Sequence, residues 1–497
     1  MLAHDFVIRA DKRRLTAQQG LDPATQLRLG QHFTPHLAAK LIASIPRLPI
    51  SGSLKILDPG AGTGSLLTAL YARIIEEAPS LDVHITALEL DSEVAEKLRE
   101  TMEDLQTVAA SAGIKLTTEV IESDFIAIES AADTDYDLVI MNPPYQKLPA
   151  KSDYRTVMTK LGVHTPNIYA AFVARGIMQL KKGGQLVAIT PRSFTNGVYF
   201  EQFRSYILAH TSLDHIHVFD SRSTVFADTG VLQENIIFSV TKNGTNDSVT
   251  LSASIGHEHE IRTFEVPSFD IVRPTDRRQF IRIPVGQGDD ETVTRMLDLP
   301  TSLDDLGICV STGRVVDFRS RENLSPGATT GFPMVYPANL SNGRVEHPKV
   351  TGKPQWFNAT TDNDRNLLVP SGHYVLVKRF SAKEERRRIV AGVWSPDSND
   401  IGPVAFDNKL NYFHANGVGL DRKLAVGLTL WLNSSFVDKY FRTFSGHTQV
   451  NATDLREMRY PNTDELLQMG EDWEVGLPTQ DVLDELVRIN MGWKEDK

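Results

Sequence analysis

Short apolar runs alternate with amphipathic stretches along the first half of the chain. The apolar runs predict strands at residues 54–57, 84–89, 115–121, 136–141 and 185–190. Between them, apolar residues recur at i, i+3 and i+4, which predicts helices at residues 65–77, 92–112 and 168–181. Strands that alternate with helices predict an α/β fold with a doubly wound, mostly parallel sheet. Two later runs, at residues 215–219 and 235–240, predict antiparallel strands.

The pattern changes after about residue 245. Short strands, turns rich in Gly and Pro, and basic clusters replace the alternation, and one long helix is predicted at residues 424–441. The junction lies between residues 245 and 290, and we place it after residue 284. The sequence therefore predicts a doubly wound domain at residues 1–284 and a second, mixed α+β domain at residues 285–497.

The composition limits the class of protein. With 497 residues, 41% hydrophobic and 23% charged, the chain is long enough for two globular domains. It has no apolar stretch of membrane-spanning length and no secretory pattern, so we expect a cytoplasmic protein without a membrane partner. The single cysteine, Cys309, excludes an internal disulfide and a multi-cysteine metal site, and we expect no metal.

The net charge of −11 argues against a general nucleic-acid-binding protein, but the charge is uneven. Residues 1–272 carry 24 Lys and Arg against 32 Asp and Glu, and residues 461–497 carry 3 against 10. Residues 273–460 carry 25 against 21, a net charge of +4. Of the three segments, only residues 273–460 favour contact with a phosphate backbone.

Asn142, Pro143, Pro144 and Tyr145 directly follow the apolar run at 136–141. Two consecutive prolines fix two φ angles and remove two N–H donors, so this segment is a rigid ledge rather than an ordinary turn. The ledge presents a side-chain amide oxygen, a carbonyl oxygen without a neighbouring N–H, and a flat ring. Two acceptors and a ring can hold a planar aminated group, which indicates a site for methyl transfer to an amino nitrogen.

Other polar residues follow neighbouring strands. The glycine-rich loop 58–64 is typical of a nucleotide-binding turn, although a tight strand–helix turn is an alternative. Glu89 ends the next strand, where its carboxylate either accepts from ribose hydroxyls or is simply solvated. Asp124 and Phe125 add an acceptor and a ring after the third strand. Because open α/β sheets bind ligands at the carboxyl edge, this set predicts an adenosine-containing cofactor there.

These motifs, in this order, resemble the amino-methylating DNA methyltransferases that use S-adenosylmethionine. The resemblance is strongest to the N6-adenine enzymes of the γ arrangement in type II restriction–modification systems, and it covers roughly residues 29–240. In that arrangement the segment that closes the methionine pocket comes first, and residues 29–35 resemble it. The resemblance implies a Rossmann-like methyltransferase fold and a target-recognition domain. It implies that the cofactor is bound by Phe33, Thr34, Pro35, Asp58, Pro59, Gly60, Gly62, Gly64, Glu89, Asp124, Phe125 and Asn142.

The resemblance also implies a mechanism for the ledge. Asn142 Oδ1 and the Pro143 carbonyl each accept an N–H bond from adenine N6, so that its lone pair points at the sulfonium methyl. The target base leaves the duplex, at a cost of roughly a few kcal/mol, and stacks on Tyr145 and on Phe226, unless Phe226 is a core aromatic. Alternative targets are N4 of cytosine in DNA, a base in RNA and a protein glutamine, because the ledge suits each of these amino groups.

Sequence readout is expected from the second domain, where bidentate contacts from arginine to guanine are the commonest specific base contact. The basic candidates are Arg314, Arg319, Arg321, Lys378, Arg379, Lys383, Arg386, Arg387 and Arg388. Glu384 and Glu385 interrupt the second cluster, so a solvated, salt-bridged face is an equal alternative. The polar loop 445–451 is a further candidate. We expect double-stranded DNA as the partner, a restriction endonuclease on a separate chain, and a monomeric methyltransferase.

Overall fold

The computed structural model forms two compact units, Met1–Val285 and Gly286–Lys497, which divide beside the junction placed after residue 284. It describes residues 3–20, 33–128, 135–149, 151–219, 234–255, 261–274, 276–284, 289–327, 331–381, 385–396, 402–445, 448–471 and 476–494.

A nine-stranded sheet forms the centre of the first unit. Its strands β1 to β9 are Gly52–Asp58, Leu81–Glu89, Lys115–Glu122, Tyr136–Met141, Leu180–Pro191, Thr211–Phe219, Asn235–Lys242, Ser248–Ser254 and Arg262–Pro267. They lie in the order β3-β2-β1-β4-β5-β7-β6-β8-β9. Strands β1 to β5 pair with one another in parallel, whereas β7 runs antiparallel to β5 and β6. The prediction of a doubly wound, mostly parallel sheet is confirmed.

Helices cover both faces of this sheet because its central strands are apolar on both sides. Helices α1 to α8 are Ala3–Gly20, His36–Ser44, Ser65–Glu77, Ser92–Ala112, Asp153–Lys160, Ile168–Gln179, Glu201–His210 and Ser268–Ile271, with short 3-10 helices at Arg192–Thr195 and Val198–Phe200. On one face, Val139 and Met141 share an apolar cluster with α6 and α7. On the other face, Ile140 and Ile189 share a cluster with α3 and α4.

The carboxyl ends of β1, β2, β4 and β5 lie side by side. Asp58 pairs with Ala87 across β1 and β2, and Met141 pairs with Ala188 across β4 and β5. The same edge of the sheet therefore carries the glycine-rich loop, Glu89 and the ledge. Because β7 runs in the opposite direction, its first residue also lies at this edge.

The helix predicted at residues 168–181 is two residues too long. Helix α6 ends at Gln179, and β5 begins at Leu180, which pairs with Tyr136 of β4. Gly183 has a φ of 77°, which lets the strand bend before its regular pairing resumes. The apolar side chain of Leu180 fits either pattern, so the sequence alone did not reveal the change.

The second unit is a mixed α+β structure, as predicted. Its strands β10 to β20 are Cys309–Thr312, Leu324–Ser325, Phe332–Val335, Leu340–Ser341, Arg344–Val345, Trp356–Phe357, Leu368–Val369, Tyr374–Lys378, Ala391–Trp394, Val404–Phe406 and Leu410–His414. They form a six-stranded sheet of order β10-β20-β17-β18-β14-β13 and a five-stranded sheet of order β11-β15-β12-β19-β16. Helices α9 to α15 are Asp289–Leu297, Asp362–Arg365, Arg422–Leu432, Ser435–Phe444, Ala452–Arg456, Thr463–Glu471 and Gln480–Asn490, with 3-10 helices at Arg321–Asn323 and Pro337–Asn339.

The single helix predicted at residues 424–441 is wrong, because two helices, α11 and α12, occupy this stretch. Asn433 ends the first helix, and its side-chain amide exchanges hydrogen bonds with both backbone groups of Ala391. Ser434 caps the second helix by accepting from the backbone N–H of Val437. Within the described ranges, no helix combines the length and apolar character needed to cross a bilayer.

Candidate active site

The glycine-rich loop between β1 and α3 has a backbone conformation that requires glycine. Gly62 and Gly64 have φ angles of 55° and 87°, in the left-handed region that other residues rarely adopt. A Cβ atom at Gly62 would lie 3.3 Å from the Phe33 ring, and one at Gly64 would lie 3.0 Å from the Thr101 side chain. Gly64 is the N-cap of α3 and provides no side-chain cap, so a ligand can approach the first turn of this helix closely.

Glu89 is held against the same loop. Its carboxylate accepts hydrogen bonds from the backbone N–H groups of Gly62 (2.9 Å), Leu90 (2.9 Å) and Asp91 (3.0 Å). Burial raises the pKa of Glu89, and these N–H groups oppose the rise. A carboxylate has about four acceptor positions, so about one remains for a ligand hydroxyl group while all three backbone bonds persist.

Asp58 lies at the end of β1 and is fully buried. Neither of its carboxylate oxygens has a hydrogen-bond partner of good geometry among the described residues. Burial, with a smaller contribution from the Glu89 carboxylate, raises the pKa of Asp58 to about 8, and the backbone N–H of Gly60 opposes the rise. A buried carboxylate without a partner is costly, so this position suits a ligand that brings a donor or a positive charge.

Asp124 follows β3 and already has partners for both oxygens. Oδ1 accepts from the backbone N–H groups of Ile126 (2.8 Å) and Ala127 (3.3 Å), and Oδ2 accepts from the Tyr154 hydroxyl at 2.5 Å. Burial and the Asp124 carboxylate raise the pKa of Tyr154, so its hydroxyl remains a donor. The sequence analysis missed Tyr154, since a tyrosine in α5 carries no motif that links it to Asp124.

Two predicted cofactor residues are aromatic and buried. Phe125 is packed against Phe172 with ring centroids 5.3 Å apart, and the Arg175 guanidinium lies 5.5 Å from its ring centroid. Phe33 packs with Ala17 and Val94 and covers Gly62. The two rings provide apolar surface beside the glycine-rich loop and after β3.

The ledge is connected directly to the segment before α2. Asn142 Nδ2 donates a hydrogen bond to Thr34 Oγ1 at 3.0 Å, which fixes the orientation of the amide. Asn142 Oδ1 accepts from the Tyr145 hydroxyl at 2.9 Å, and this hydroxyl also lies 3.1 Å from the Ile189 carbonyl oxygen. Thr34 was predicted to bind the cofactor, and its contact with Asn142 was not predicted.

The other two parts of the ledge are a carbonyl group and a ring. No hydrogen bond to the Pro143 carbonyl oxygen occurs in the described parts of the chain. The Tyr145 ring meets Tyr169 edge-on, with centroids 6.4 Å apart. Burial raises the pKa of Tyr145 well above its ordinary value, so the hydroxyl stays protonated. Phe226, the predicted second ring for the target base, lies outside the described residues.

A buried amide beside the ledge was not singled out from the sequence. Asn235, the first residue of β7, is 2% exposed, and neither polar atom of its amide has a hydrogen-bond partner among the described residues. It pairs with Pro191, two residues beyond Ile189, whose carbonyl oxygen lies 3.1 Å from the Tyr145 hydroxyl. Strand alternation places Ile189 and Asn235 on one face of the sheet. The edge therefore carries a second amide with unused hydrogen-bonding capacity.

The basic candidates of the second unit differ in exposure. Arg314, Arg319, Arg321 and Arg386 are exposed, whereas Lys378, Arg379 and Arg387 are half-buried. Arg314 donates to the carbonyl oxygens of Asn366 and Leu368, Arg379 to that of Asn408, and Arg387 to that of Asn433. Lys383 and part of the loop 445–451 lie outside the described residues.

The structure does not support a phosphate contact from Arg388. Its side chain is only 1% exposed, and it donates to Ser381 Oγ at 3.0 Å and packs on the Phe441 ring at 5.3 Å. The backbone N–H of Arg388 donates to Asp438. Arg388 therefore stabilises the second unit. Of the DNA-binding surface expected at residues 386–388, only the exposed Arg386 and the half-buried Arg387 remain accessible.

The fold and this edge define a Rossmann-like methyltransferase, and comparisons with known proteins specify its family. Residues 63–226 match the family model of the Eco57I restriction-modification methylases. The type II methyltransferase M.PstI of Providencia stuartii is 40% identical over 493 residues, which cover 97% of each chain. The protein therefore belongs to the type II DNA methyltransferases of restriction–modification systems.

Two further similarities are more distant. A tRNA1(Val) (adenine(37)-N6)-methyltransferase of Aeromonas hydrophila is 30% identical over 151 residues, which cover 30% of this chain and 57% of that protein. The structure of the type IIL restriction-modification enzyme MmeI in complex with DNA has a TM-score of 0.57 and 11% identity, and the match covers 99% of this chain and 76% of that one. At this identity the second match concerns the fold alone.

Proposed function

We propose that this methyltransferase transfers a methyl group from S-adenosylmethionine to N6 of a flipped-out adenine in double-stranded DNA. The observation that carries the proposal is the ledge, where Asn142 Nδ2 donates to Thr34 Oγ1, Asn142 Oδ1 is an acceptor, and the adjacent Pro143 carbonyl accepts no hydrogen bond from the described residues. Two fixed acceptors suit the two N–H bonds of an exocyclic amine. In such a protein the modification protects DNA from a companion endonuclease on a separate chain, and we propose a monomeric, cytoplasmic methyltransferase.

The residues at the carboxyl edge fit S-adenosylmethionine, which supplies an electrophilic methyl group when bound. Glu89 has an acceptor position for a ribose hydroxyl, and Asp58 provides a buried carboxylate that suits an ammonium or sulfonium charge. Phe33 and Phe125 provide apolar surfaces, and Asp124 is an acceptor at the neighbouring strand end. The remaining predicted contacts of Pro35, Pro59, Gly60, Gly62 and Gly64 belong to the same proposal.

Asn142 and Pro143 position and activate the amino nitrogen. An adenine N6 lone pair is delocalised into the ring, and two directed acceptors draw the nitrogen toward tetrahedral geometry. The Tyr145 hydroxyl donates to Asn142 Oδ1, and the substrate N–H would take the place of that hydroxyl as the donor. The proton leaves after methyl transfer, so no general base with a shifted pKa is needed on the ledge. Tyr145, with Phe226, would stack on the base.

Adenine N6 is favoured over cytosine N4 by one observation. A relative that matches over 151 residues of this chain is named as an adenine-N6 methyltransferase. The same relative acts on tRNA by its name, which makes RNA the second candidate substrate. Duplex DNA remains our proposal because the relative that spans the whole chain is a type II methyltransferase, and the second unit provides exposed arginines for readout.

The test is incubation with S-adenosylmethionine labelled on its methyl group, in parallel with duplex DNA, tRNA and a protein extract. Digestion of the labelled product to nucleosides should give N6-methyladenine from DNA only, and Asn142→Ala should abolish the label. N4-methylcytosine would overturn the choice of base, and label in tRNA or protein alone would overturn the choice of substrate.

A further inference from the structure

A cleft of about 520 Å³ lies in the first unit, and neither the cofactor site nor the ledge uses it. This volume lies within the range of about 300–1,000 Å³ that is typical of small-molecule sites. Its walls include Arg155 and Thr159 of α5, the segment His164–Pro166, and the segment Val198–Gln202 at the start of α7.

Both walls of the cleft are anchored to the ledge. The Pro166 carbonyl accepts from the backbone N–H of Leu148 at 2.9 Å, and Leu148 is only three residues after Tyr145. Three residues span at most about 11 Å. On the other wall, Phe200 stacks on Tyr169 at 5.6 Å, and Tyr169 meets Tyr145. The cleft therefore lies on the substrate side of the edge, within reach of a group covalently attached to a base on the ledge.

The cleft contains groups that lack partners. Thr165 is 5% exposed, and its buried hydroxyl has no hydrogen-bond partner in the part of the chain that the structure describes. The Arg155 guanidinium donates to the Leu148 carbonyl at 2.8 Å, and its Nε is buried and unpartnered in the described structure. Among the described lining residues the only carboxylate, Glu201, is paired with Arg278 at 3.1 Å. The Arg155 guanidinium and the Thr165 hydroxyl are donors that suit an anion with several oxygens.

The mouth of the cleft presents an aromatic ring to solvent. Tyr199 is 87% exposed, so both faces of its ring are open to a ligand at the mouth of the cleft. An exposed ring at the mouth of a cleft can stack on a nucleobase, and Arg155 can contact a phosphate. His164, also exposed, adds an imidazole ring to the same lining.

We propose that this cleft binds the nucleotide next to the flipped base, with its phosphate at Arg155 and Thr165 and its base on Tyr199. This inference rests on the proposed function, since it requires a polynucleotide substrate held on the ledge. The two can fail separately, because methylation of DNA does not require this particular contact.

The experiment uses a duplex that the wild-type protein methylates, with single phosphates around the target base replaced by neutral methylphosphonates. Wild-type protein should lose affinity when a phosphate adjacent to the target is neutral, and Arg155→Gln should bind more weakly and no longer respond to that position. Tyr199→Ala should raise the Kd at least about fivefold, the lower end of the effect of losing a stacked base. Phe269→Ala, which removes another exposed ring of the same unit, should leave affinity unchanged.

An unaltered phosphate profile for Arg155→Gln, together with wild-type affinity for Tyr199→Ala, would overturn the nucleotide site. Because Tyr199 is exposed, its variant should fold normally, and thermal melting and cofactor binding check this for both variants. If the wild-type protein methylates no DNA, the proposed function is overturned, and the nucleotide site with it. If the protein methylates DNA normally but Arg155→Gln and Tyr199→Ala bind as the wild type does, only the nucleotide site is overturned.

Discussion

The Thr34 hydroxyl accepts a hydrogen bond from the Asn142 side-chain amide at 3.0 Å, across 108 residues of sequence. An isolated asparagine amide can rotate, and either its oxygen or its nitrogen could face a substrate. In the hydrogen bond to Thr34 Oγ1 the donor is Asn142 Nδ2, so Asn142 Oδ1 is directed to the ledge. Thr34 is therefore a positioning residue for the proposed acceptor, besides any contact that it makes with the cofactor.

Replacing Thr34 with Val should lower the rate of methyl transfer by about tenfold, because one directed hydrogen bond contributes about 0.5–1.5 kcal/mol. Single-turnover kinetics at saturating cofactor measure this rate. Thr34→Ser keeps the hydroxyl and should restore most of it. A merely structural role predicts instead that both variants change thermal stability and rate in parallel.

Asn142→Ala should lower the rate of methyl transfer at least about a hundredfold and leave cofactor binding nearly intact. The loss has this size because the acceptor acts where charge develops in the transition state. Single-turnover assays and calorimetry separate the two quantities. A change in rate of less than threefold would exclude the proposed role of Asn142.

Glu89→Ala and Asp124→Ala should each weaken binding of S-adenosylmethionine by about 1–3 kcal/mol, the cost of leaving buried hydrogen-bonding groups unmet. Calorimetry with the cofactor measures the change. Asp82→Ala, in the same sheet but at the opposite end of β2, is the matched control and should bind normally. Wild-type affinity in both Glu89→Ala and Asp124→Ala would mean that the cofactor binds elsewhere.

Asp58→Asn should reduce the pH dependence of stability. Burial raises the pKa of Asp58 from 3.8 to about 8, so between these values the folded protein holds a proton that the unfolded chain releases. The free energy of unfolding of the wild type should therefore decrease, through this group, as the pH rises from about 4 to 8. Denaturant unfolding of both proteins at pH 5 and pH 8 measures the difference, and an identical pH dependence would contradict the assignment.

The sequence predicted the sheet because its strands are short apolar runs bounded by polar residues or proline, and these signals are local. It also predicted Asn142 and Glu89 as candidates, because Glu89 is the last residue of one such strand and Asn142 directly follows another. It could not predict contacts that depend on how distant segments pack. Thr34 reaches Asn142, and Tyr154 reaches Asp124, without any periodic pattern that would connect them.

The errors in the second unit have a similar cause. The helical spacing of apolar residues continues on both sides of Asn433 and Ser434, so the sequence pattern does not show that the helix ends there. The buried side-chain hydrogen bonds of Asn433 and Ser434 stabilise this break. Arg388 stands in a run of three arginines, which is typical of a solvated surface, yet packing on Phe441 buries it. The sequence shows that a run of residues is basic, but it does not show which of them faces the interior.

The difference in burial between Arg386 and Arg388 leads to the last prediction. Arg386→Gln should weaken DNA binding and lower the slope of log K against log salt by about one, because one phosphate contact is lost. Arg388→Gln should instead destabilise the second unit, since it removes hydrogen bonds from a buried side chain. Salt-dependent binding and thermal melting distinguish these effects.

Arg365→Gln, which removes a charge of the same sign from an exposed side chain of α10, controls for the general loss of charge. Substitution of Arg314, Arg319 or Arg321 should relax discrimination between cognate and mismatched duplexes if that residue reads a base. The proposed DNA surface would be abandoned if Arg386→Gln kept the wild-type salt slope while each of these three variants kept full specificity. Asn142 and the ledge would not be affected by that result, because their assignment depends on the edge of the first sheet.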